Sequence, residues 1–438
     1  MNDSWPLGVM RRRAGSVEAV VVFRPTTYQE VAELLRRANP EGRVVVPFGG
    51  LSAVTGAVEV SAGQFGLDLG GLDQVLEVDE HNLRARVQAG VNGLRLEAQL
   101  NLRGLTLGHF PSSLPIATIG GLVATRSAGQ LSTYYGNIED LVESLTVCLP
   151  DGTIAEARSG PRSSVGPALH ELFIGSEGAL GVVLEAVLRI SRTPAAVLGR
   201  GYDFADLHSG LEAMRQVVQR DLRPYVLRLY DAEDTAFQAA GADGCLLVVG
   251  TAGEAGVAAA ALEVVEACCA AAGGHDLGEA PFERWRERRF HLSRDRMLEA
   301  LKAPGSFLDT IEVAAAWDRL PALHADVKAV LAAEGIGLCH FSHAYPQGCC
   351  AYFTFAGSAG SEAEAEAAYG RCWKGAMEAC LRHSATLSHH HGVGQVRAPW
   401  VKREMGEWWQ VWERVRSGID PKRVMNPHGV GGTSPTSS

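Results

Sequence analysis

The chain has 438 residues, of which 46% are hydrophobic and 21% charged, and this length suffices for two or three domains with cores of their own. Its 40 Lys and Arg residues against 50 Asp and Glu residues give a net charge of −10, opposite to the basic surface that nucleic-acid binding requires. The composition excludes a disordered, collagenous or coiled-coil protein, and nucleic acid is not an expected partner.

The cysteines and the termini indicate the compartment. Nine cysteines occur without a CxxC spacing, so they favour neither a zinc site nor a disulfide framework. No apolar run is long enough to cross a membrane, and residues 1–13 lack the apolar stretch of a signal peptide. We therefore expect a cytoplasmic protein without a transmembrane segment, and a disordered Gly/Ser/Thr/Pro tail over residues 431–438.

The N-terminal part of the chain predicts a βαβ-like unit that ends in a glycine-rich loop. A β-branched run over 17–23 precedes Thr27 and Glu30, which have the spacing of a capping box at the start of an amphipathic helix. A second β run over 43–46 then leads into the loop 47–52. Loops of this kind can place backbone N–H groups against a phosphate.

The pattern changes twice beyond this unit. Short strands with turn signals over 65–90 indicate an α+β fold rather than a doubly wound sheet. From about residue 195, Ala- and Glu-rich helical stretches alternate with β-like runs such as 245–249, which predicts a second mixed domain. The domains that we expect are a first over 1–194, a second over 195–385, a C-terminal segment over 386–430 that completes the active site, and the tail.

Glycine forms three clusters in the predicted first domain. None has the order of a Rossmann fingerprint. A pyrophosphate is held by loop N–H groups where a Cβ would block its approach, and Ser and Thr hydroxyls add donors. The residues that we expect to bind a cofactor are Pro47, Phe48, Gly49, Gly50, Leu51, Ser52, Ser112, Thr118, Gly120, Gly121, Thr125, Arg126, Ser127, Gly175, Ser176, Glu177, Gly178 and Gly181.

The three clusters, in this order, resemble the flavin loops of the vanillyl-alcohol oxidase and p-cresol methylhydroxylase (PCMH) superfamily. Four further segments, 107–114, 135–141, 160–167 and 388–394, are similar to alkyldihydroxyacetonephosphate synthase, and the similarity covers about residues 17–428. The resemblance implies an α+β fold with a two-subdomain PCMH-type FAD-binding domain and an α+β cap domain for the substrate. It also implies non-covalent FAD, because Leu51 and Ser52 stand where histidyl-linked relatives carry the attaching histidine.

The resemblance implies an activity as well. That family exchanges the acyl group of acyl-dihydroxyacetone phosphate for a fatty alcohol, through an adduct at flavin N5, and so makes the ether bond of ether lipids without net oxidation. The small-molecule partners implied are acyl-dihydroxyacetone phosphate and a fatty alcohol. Peripheral contact with a membrane and a homodimer are further expectations.

Carried over by position, the resemblance makes Tyr352 the acid–base group beside the substrate carbon. The histidine triplet, His389 to His391, supports Tyr352 and the flavin edge, and we expect cationic or hydrogen-bonding partners there to lower the pKa of Tyr352. The other positions matched to the active site are His109, Arg228, Arg294 and Thr310, with His390 in the middle of the triplet and the two arginines suited to a substrate phosphate.

Two positions depart from the family pattern. Leu51 replaces the third glycine of the first loop, so its Cβ has to point away from the pyrophosphate. Ser112 stands where the family carries an aspartate, so a charge that could orient His109 or Tyr352 is lost. Tyr352, Arg228 and the histidine triplet each also have a simpler interpretation. Tyr352 could be a packing residue of a strand, and Arg228 could form a surface ion pair with Asp231. The histidine triplet could bind a metal.

Two other functions stay open. A flavin dehydrogenase or oxidase of 2-hydroxy acids, such as D-lactate or glycolate, shares the scaffold but holds a divalent metal through two histidines and a glutamate. Here Tyr352 takes the place of the second histidine and His390 that of the glutamate, so no metal is expected. A non-catalytic flavin-binding subunit is the second alternative, and it would not need the polar groups around Tyr352.

Overall fold

The structure, a computed structural model, describes residues 2–12, 19–238, 241–290 and 299–432. The chain divides into two compact units. Unit 1 comprises 1–127, 137–193 and 390–438, and unit 2 comprises 128–136 and 194–389. Residues 433–438 of the expected disordered tail lie outside the described residues.

The helices of the described residues follow in chain order. They are α1 (Pro6–Arg12), α2 (Tyr28–Glu41), α3 (Gly93–Asn101), α4 (Ile119–Ala124), α5 (Ser132–Tyr135), α6 (Ile138–Leu141), α7 (Leu207–Val218), α8 (Ala232–Gln238), α9 (Ala255–Ala271), α10 (Ala280–Arg288), α11 (Leu320–Ala332), α12 (Glu362–Arg382), α13 (Gly394–Met405) and α14 (Trp408–Ile419). None of the helices described is long and apolar enough to cross a membrane.

The strands are described in the same order. They are β1 (Val21–Phe23), β2 (Val45–Phe48), β3 (Phe65–Asp68), β4 (Val75–Asp79), β5 (Arg84–Gln88), β6 (Leu105–Thr106), β7 (Val142–Cys148), β8 (Ile154–Glu156), β9 (Val182–Arg189), β10 (Ser191–Arg192), β11 (Ala196–Phe204), β12 (Val226–Tyr230), β13 (Cys245–Gly253), β14 (His275–Asp276), β15 (Ser306–Ala316), β16 (Ile336–Tyr345) and β17 (Gly348–Ser358).

Unit 1 contains a parallel sheet, β1-β3-β2, and an antiparallel sheet, β4-β5-β9-β7-β8. The capping box expected for α2 is formed: the Thr27 hydroxyl accepts the Glu30 N–H, and the Glu30 carboxylate accepts the Thr27 N–H. The helix buries one apolar face, including Val31 and Leu35, which provides most of its stability in the unit. The α+β class predicted from the sequence is confirmed.

Unit 2 is built on one antiparallel sheet in the order β14-β11-β13-β12-β16-β17-β15. Side chains of successive strand residues point to opposite faces, so residues two apart share a face. Phe341, Phe353 and Ile311 are fully buried on one face, with a helical layer that includes α11 and α12. The opposite face is lined by polar side chains of β12, β16, β17 and β15, and it carries most of the chemistry predicted for this unit.

Candidate active site

The first and second glycine clusters lie against each other in unit 1. A Cβ on Gly49 would lie 2.1 Å from Oγ1 of Thr118, and one on Gly50 would lie 1.8 Å from the carbonyl oxygen of Ile116. Real Cβ atoms do not approach other atoms so closely, so any side chain here would push the loops apart. These glycines therefore allow loop-to-loop packing, a requirement separate from the approach of a pyrophosphate.

The third cluster joins the same assembly. The Gly175 N–H donates to the carbonyl of Val123 at 3.0 Å, and a Cβ on Gly178 would lie 2.7 Å from Cγ of Pro47. Three segments far apart in sequence thus converge within unit 1. The other residues expected to bind the cofactor also lie in this unit: Phe48, Ser52, Ser112, Gly120, Gly121, Thr125, Ser127, Ser176 and Gly181.

Each cluster contains one non-glycine residue in the left-handed backbone region. Leu51, Arg126 and Glu177 have φ values of 51°, 55° and 51°. Such a conformation costs about 1–3 kcal/mol outside glycine and concentrates at functional sites. Leu51 therefore keeps the backbone shape that the family obtains with its third glycine, which explains how the chain tolerates this departure.

His109 and Thr55 are buried in unit 1 with side-chain polar atoms that have no hydrogen-bond partner among the described residues. His109 is 1% exposed and both of its ring nitrogens lack a partner, as does Oγ1 of Thr55. Burial lowers the pKa of His109 to about 3, so its ring is neutral at physiological pH. Because buried polar groups normally find partners, these atoms suit a bound ligand that offers both donors and acceptors, as FAD does.

Glu177 connects the third cluster to the C-terminal segment. Its carboxylate oxygens accept the N–H of Gly394 at 3.1 and 3.2 Å, and its carbonyl accepts from Nδ2 of Asn426 at 2.7 Å. Burial raises the pKa of this carboxyl to about 8, although the hydrogen bonds from Gly394 and Val393 lower it. Glu177, expected to bind the cofactor, thus uses its carboxylate to hold the loop that follows the histidine triplet.

Tyr352 lies in a row of polar residues that crosses four strands of unit 2. It pairs with Glu312 of β15 on one side and with His340 of β16 on the other, and His340 in turn pairs with Tyr230 of β12. The His340 and Tyr352 rings are stacked with centroids 4.7 Å apart and an angle of 19° between their planes. Thr310, two residues from Glu312, is hydrogen-bonded to Tyr352.

The protein holds Tyr352 in its neutral form. Desolvation raises the pKa of this half-buried phenol to about 12, and the charges of Glu312 and Asp309 act in the same direction. The hydrogen bond with Thr310 and the charge of Arg228 oppose this effect without reversing it. The expected lowering of the Tyr352 pKa is therefore wrong for this structure, because desolvation outweighs the cationic neighbours.

Arg228 brings a positive charge to the same face. Its guanidinium carbon lies 5.2 Å from the centroid of the Tyr230 ring, and its buried Nε has no hydrogen-bond partner among the described residues. Asp231, the ion-pair partner considered from the sequence, is occupied by Nε2 of His324 at 3.1 Å and Nζ of Lys328 at 2.9 Å. Arg228 thus keeps hydrogen-bonding capacity for an anionic ligand. Its expected companion, Arg294, lies outside the described residues.

The boundary between the units passes through the histidine triplet. His389 belongs to unit 2, where its N–H donates to the carbonyl of Glu312 at 3.3 Å and the preceding Ser388 hydroxyl donates to the Glu312 carboxylate at 2.7 Å. His390 and His391 belong to unit 1, and their rings lie 4.6 Å apart.

Sequence reasoning missed Glu312 and His340. Their alternation with apolar residues in β15 and β16 is a signal for a polar sheet face, but the pairing of those strands with β17 is not visible in the sequence.

Comparisons with known proteins agree with this arrangement. The family profile described as "FAD linked oxidases, C-terminal domain" matches residues 194–430, and "FAD binding domain" matches residues 19–158. The alkyldihydroxyacetonephosphate synthase of Dictyostelium discoideum is 32% identical over 96% of this chain and 74% of its own length. The "Uncharacterized FAD-linked oxidoreductase YgcU" of Escherichia coli O157:H7 is 32% identical over 94% of this chain and 88% of its own.

A solved structure leads to the same family. One structure of alkyldihydroxyacetonephosphate synthase superposes with a TM-score of 0.79 and 27% identity, covering 97% of this chain and 79% of that one. The resemblance stated from the sequence is confirmed, and so is FAD as the cofactor.

Proposed function

The chain belongs to the FAD-linked oxidase family, and from this premise we propose that it exchanges the acyl group of acyl-dihydroxyacetone phosphate for a fatty alcohol. The observation that supports this best is the polar face of the sheet in unit 2. Arg228, with an unpaired buried Nε, lies on the same face as Tyr352 and His340, whose rings are stacked. A cation beside a proton-transfer group suits a phosphorylated ketone.

FAD supplies an electrophilic ring system that can take up the substrate carbon and release it, so that a poor nucleophile such as an alcohol can replace a carboxylate. The residues that would hold FAD are those of the three glycine clusters, together with His109 and Thr55. No attaching residue is needed in this proposal, since the first loop presents Leu51 and Ser52.

Tyr352 is the proposed proton-transfer group of the reaction. It takes a proton from the carbon that bears the acyloxy group and returns one after the exchange. Because its pKa is raised, the phenolate is a strong base whenever it forms, and only a small fraction is deprotonated at neutral pH. Thr310 holds the phenol in place, and Glu312 ties the strand that carries Thr310 to Ser388.

Arg228 is the proposed anchor of the substrate phosphate. A guanidinium can donate two parallel hydrogen bonds to phosphate oxygens, which fixes both position and orientation. Its location on β12, next to the β16 strand that carries His340, keeps the cation on the same face as Tyr352.

The second candidate is an oxidation of 2-hydroxy acids, which is favoured by relatives named D-lactate dehydrogenase and glycolate oxidase subunit, each 26% identical to this chain. In that reaction a metal polarises the substrate, and the positions of its second histidine and its glutamate are Tyr352 and His390 here. A tyrosine held neutral is a poor metal ligand, so we favour the acyl–alkyl exchange.

The two candidates predict different products. Protein loaded with FAD is incubated with acyl-dihydroxyacetone phosphate and hexadecanol, and separately with D-lactate or glycolate and a dye that accepts electrons. We expect ether product and free fatty acid in the first mixture, no dye reduction in the second, and no effect of a chelator. Dye reduction without ether product would favour the second candidate, and activity lost to chelator and restored by zinc or manganese would do the same.

A further inference from the structure

A chain of four polar side chains in unit 2 is not used by the proposed roles of Tyr352 and Arg228. The Ser132 hydroxyl lies 2.6 Å from Nδ1 of His343, the rings of His343 and His389 lie 5.1 Å apart at an angle of 30°, and the Tyr345 hydroxyl lies 2.8 Å from Nε2 of His389. All four residues belong to the same unit.

The backbone of β16 is distorted to build this chain. A register shift between Ser342 and Ala344 marks a bulge, and His343 at its centre has φ +53°. A non-glycine residue in this region costs about 1–3 kcal/mol, and bulges of this kind redirect side chains near active sites. The Thr133 hydroxyl accepts the Ala344 N–H at 3.1 Å, which fixes the bulge against α5.

His389 lies close to the polar row that contains Tyr352. Its N–H bonds the carbonyl of Glu312, the cross-strand partner of Tyr352. One of its ring nitrogens is within 4.8 Å of the Cys350 sulfur, and Cys350 is two residues from Tyr352 on the same strand. At the Tyr345 end of this chain of side chains, half-buried Tyr345 is followed by exposed Pro346 and Gln347. A proton on His389 or Tyr345 therefore has a short route to solvent.

The proposed exchange needs a second proton acceptor, and this part of the argument rests on the proposed function. An alcohol enters neutral and a fatty acid leaves as carboxylate, so each turnover releases one proton. Tyr352 takes a proton from the substrate carbon and returns one to it, and it therefore has no net capacity for the proton of the alcohol. Some other group has to accept that proton while the new C–O bond forms.

We propose that His389, hydrogen-bonded to Tyr345, accepts the hydroxyl proton of the fatty alcohol, and that His343 and Ser132 are positioning residues for its ring. The alcohol oxygen gives a lone pair to the carbon that the carboxylate has left, and bound FAD would accept the electron pair displaced from that carbon. The electron pair of the alcohol O–H bond stays on oxygen as the proton moves to His389 and then to solvent. The Tyr345 hydroxyl lies against Nε2 of His389 and favours the tautomer whose hydrogen is on Nε2. In that tautomer the lone pair on Nδ1 can accept the proton of the alcohol.

The test separates the two halves of the reaction in the FAD-loaded protein. Stopped-flow absorbance follows loss of the flavin band with acyl-dihydroxyacetone phosphate and its recovery when hexadecanol is added. In Tyr345→Phe we expect the first rate to stay within twofold of wild type and the recovery to slow about tenfold, the equivalent of one lost hydrogen bond. His389→Gln should slow the recovery by about 100-fold or more.

The matched control is Tyr202→Phe, which removes a buried hydroxyl of unit 2 that has no partner among the described residues. Both of its rates should equal those of wild type. Ser132→Ala should slow the recovery less than Tyr345→Phe does. As a readout apart from turnover, nitrogen NMR of histidine-labelled protein should show a changed tautomer balance at His389 in Tyr345→Phe and not in the control.

The outcomes distinguish this inference from the proposed function. If the wild-type flavin band is never lost with acyl-dihydroxyacetone phosphate, the proposed function fails. If the wild type cycles and Tyr345→Phe slows both halves equally, or neither, this inference alone is overturned. An unchanged His389 tautomer in Tyr345→Phe would also contradict it.

Discussion

The two faces of the sheet in unit 2 are both largely buried, yet they treat their polar groups differently. On the face that packs against α12, the Asp309 carboxylate accepts bonds from the Tyr369 hydroxyl at 2.6 Å and from Nε1 of Trp373 at 3.2 Å. On the opposite face, Nε of Arg228 and Oγ of Ser342 have no partner among the described residues. The first arrangement is complete within the protein, and the second is not.

This difference separates stability from function. A buried polar group whose hydrogen bonds are all made inside the protein stabilises the fold. A buried polar group that lacks a hydrogen-bond partner lowers the stability of the fold, and a ligand that supplies the partner removes this loss. Asp309 on β15 and Arg228 on β12 belong to the same sheet, with β16 and β17 between their strands, and they differ in whether the protein itself supplies partners for their charged groups. The variants below test whether the two faces can be broken separately.

The largest effect is expected from Tyr352→Phe. The substitution removes the proposed proton-transfer hydroxyl and keeps the ring that stacks on His340, so the fold and FAD binding should persist. General acid–base groups contribute about 10²–10⁴-fold, and we expect a loss of that size in the rate of ether formation. The measurement is product formation per bound FAD, and a normal rate would contradict the role of Tyr352.

The pH dependence of the first half-reaction follows from the raised Tyr352 pKa. Below a pKa of about 12 the phenolate fraction rises about tenfold per pH unit, so the rate at which the flavin band is lost should also rise about tenfold for each pH unit between roughly pH 6 and 9. Tyr352→Phe should remove the slope. A wild-type rate that levels off near neutral pH would show that bound FAD and substrate reverse the effect of desolvation.

Arg228→Met should weaken substrate binding without changing the fold. Hydrogen bonds to a charged group contribute about 1.5–3 kcal/mol, so we expect KM for acyl-dihydroxyacetone phosphate to rise about 10- to 100-fold. A substrate without the phosphate serves as the control, because it should be used equally poorly by both proteins. Equal loss on both substrates would place the defect elsewhere than in phosphate recognition.

Tyr369→Phe tests the face of the sheet that packs against α12. It removes a bond to the buried Asp309 carboxylate, so the free energy of unfolding in urea should fall by about 1.5–3 kcal/mol. Activity per folded, FAD-loaded molecule should stay within twofold of wild type. A specific loss of activity would show that the two faces are not independent.

The smallest effect is expected in unit 1 from Thr55→Val. The Thr55 hydroxyl has no partner among the described residues, so its removal should not lower the unfolding free energy. If the Thr55 hydroxyl forms a hydrogen bond with FAD, the dissociation constant of FAD should rise about 2- to 10-fold in the variant.

The mode of FAD attachment has its own test. Acid precipitation of the wild-type protein should release the FAD into a yellow supernatant, and a coloured pellet would show a covalent bond.

The sequence predicted the elements whose signals are local. The capping box of α2 needs only Thr27 and Glu30, and the glycine clusters are visible because a missing Cβ is a property of the residue itself. The α+β class followed from the change of periodicity along the chain.

Features set by packing could not be predicted in the same way. The neighbours of Tyr352, Glu312 and His340, come from two other strands whose register the sequence does not encode locally. The direction of the Tyr352 pKa shift was wrong because desolvation depends on how closely those strands surround the phenol. The bulge at His343 places the His343 ring next to the His389 ring, and no glycine marks this left-handed position in the sequence.

A single turnover observed at the flavin band separates acyl–alkyl exchange from the oxidation of 2-hydroxy acids. The FAD-loaded protein is mixed without oxygen with a slight excess of acyl-dihydroxyacetone phosphate, and fatty acid release is measured in the same sample. Acyl–alkyl exchange predicts loss of the flavin band together with one equivalent of fatty acid, and recovery of the band with ether product when hexadecanol is added. A band that stays unchanged with this substrate, yet is lost stoichiometrically with D-lactate or glycolate, would contradict it.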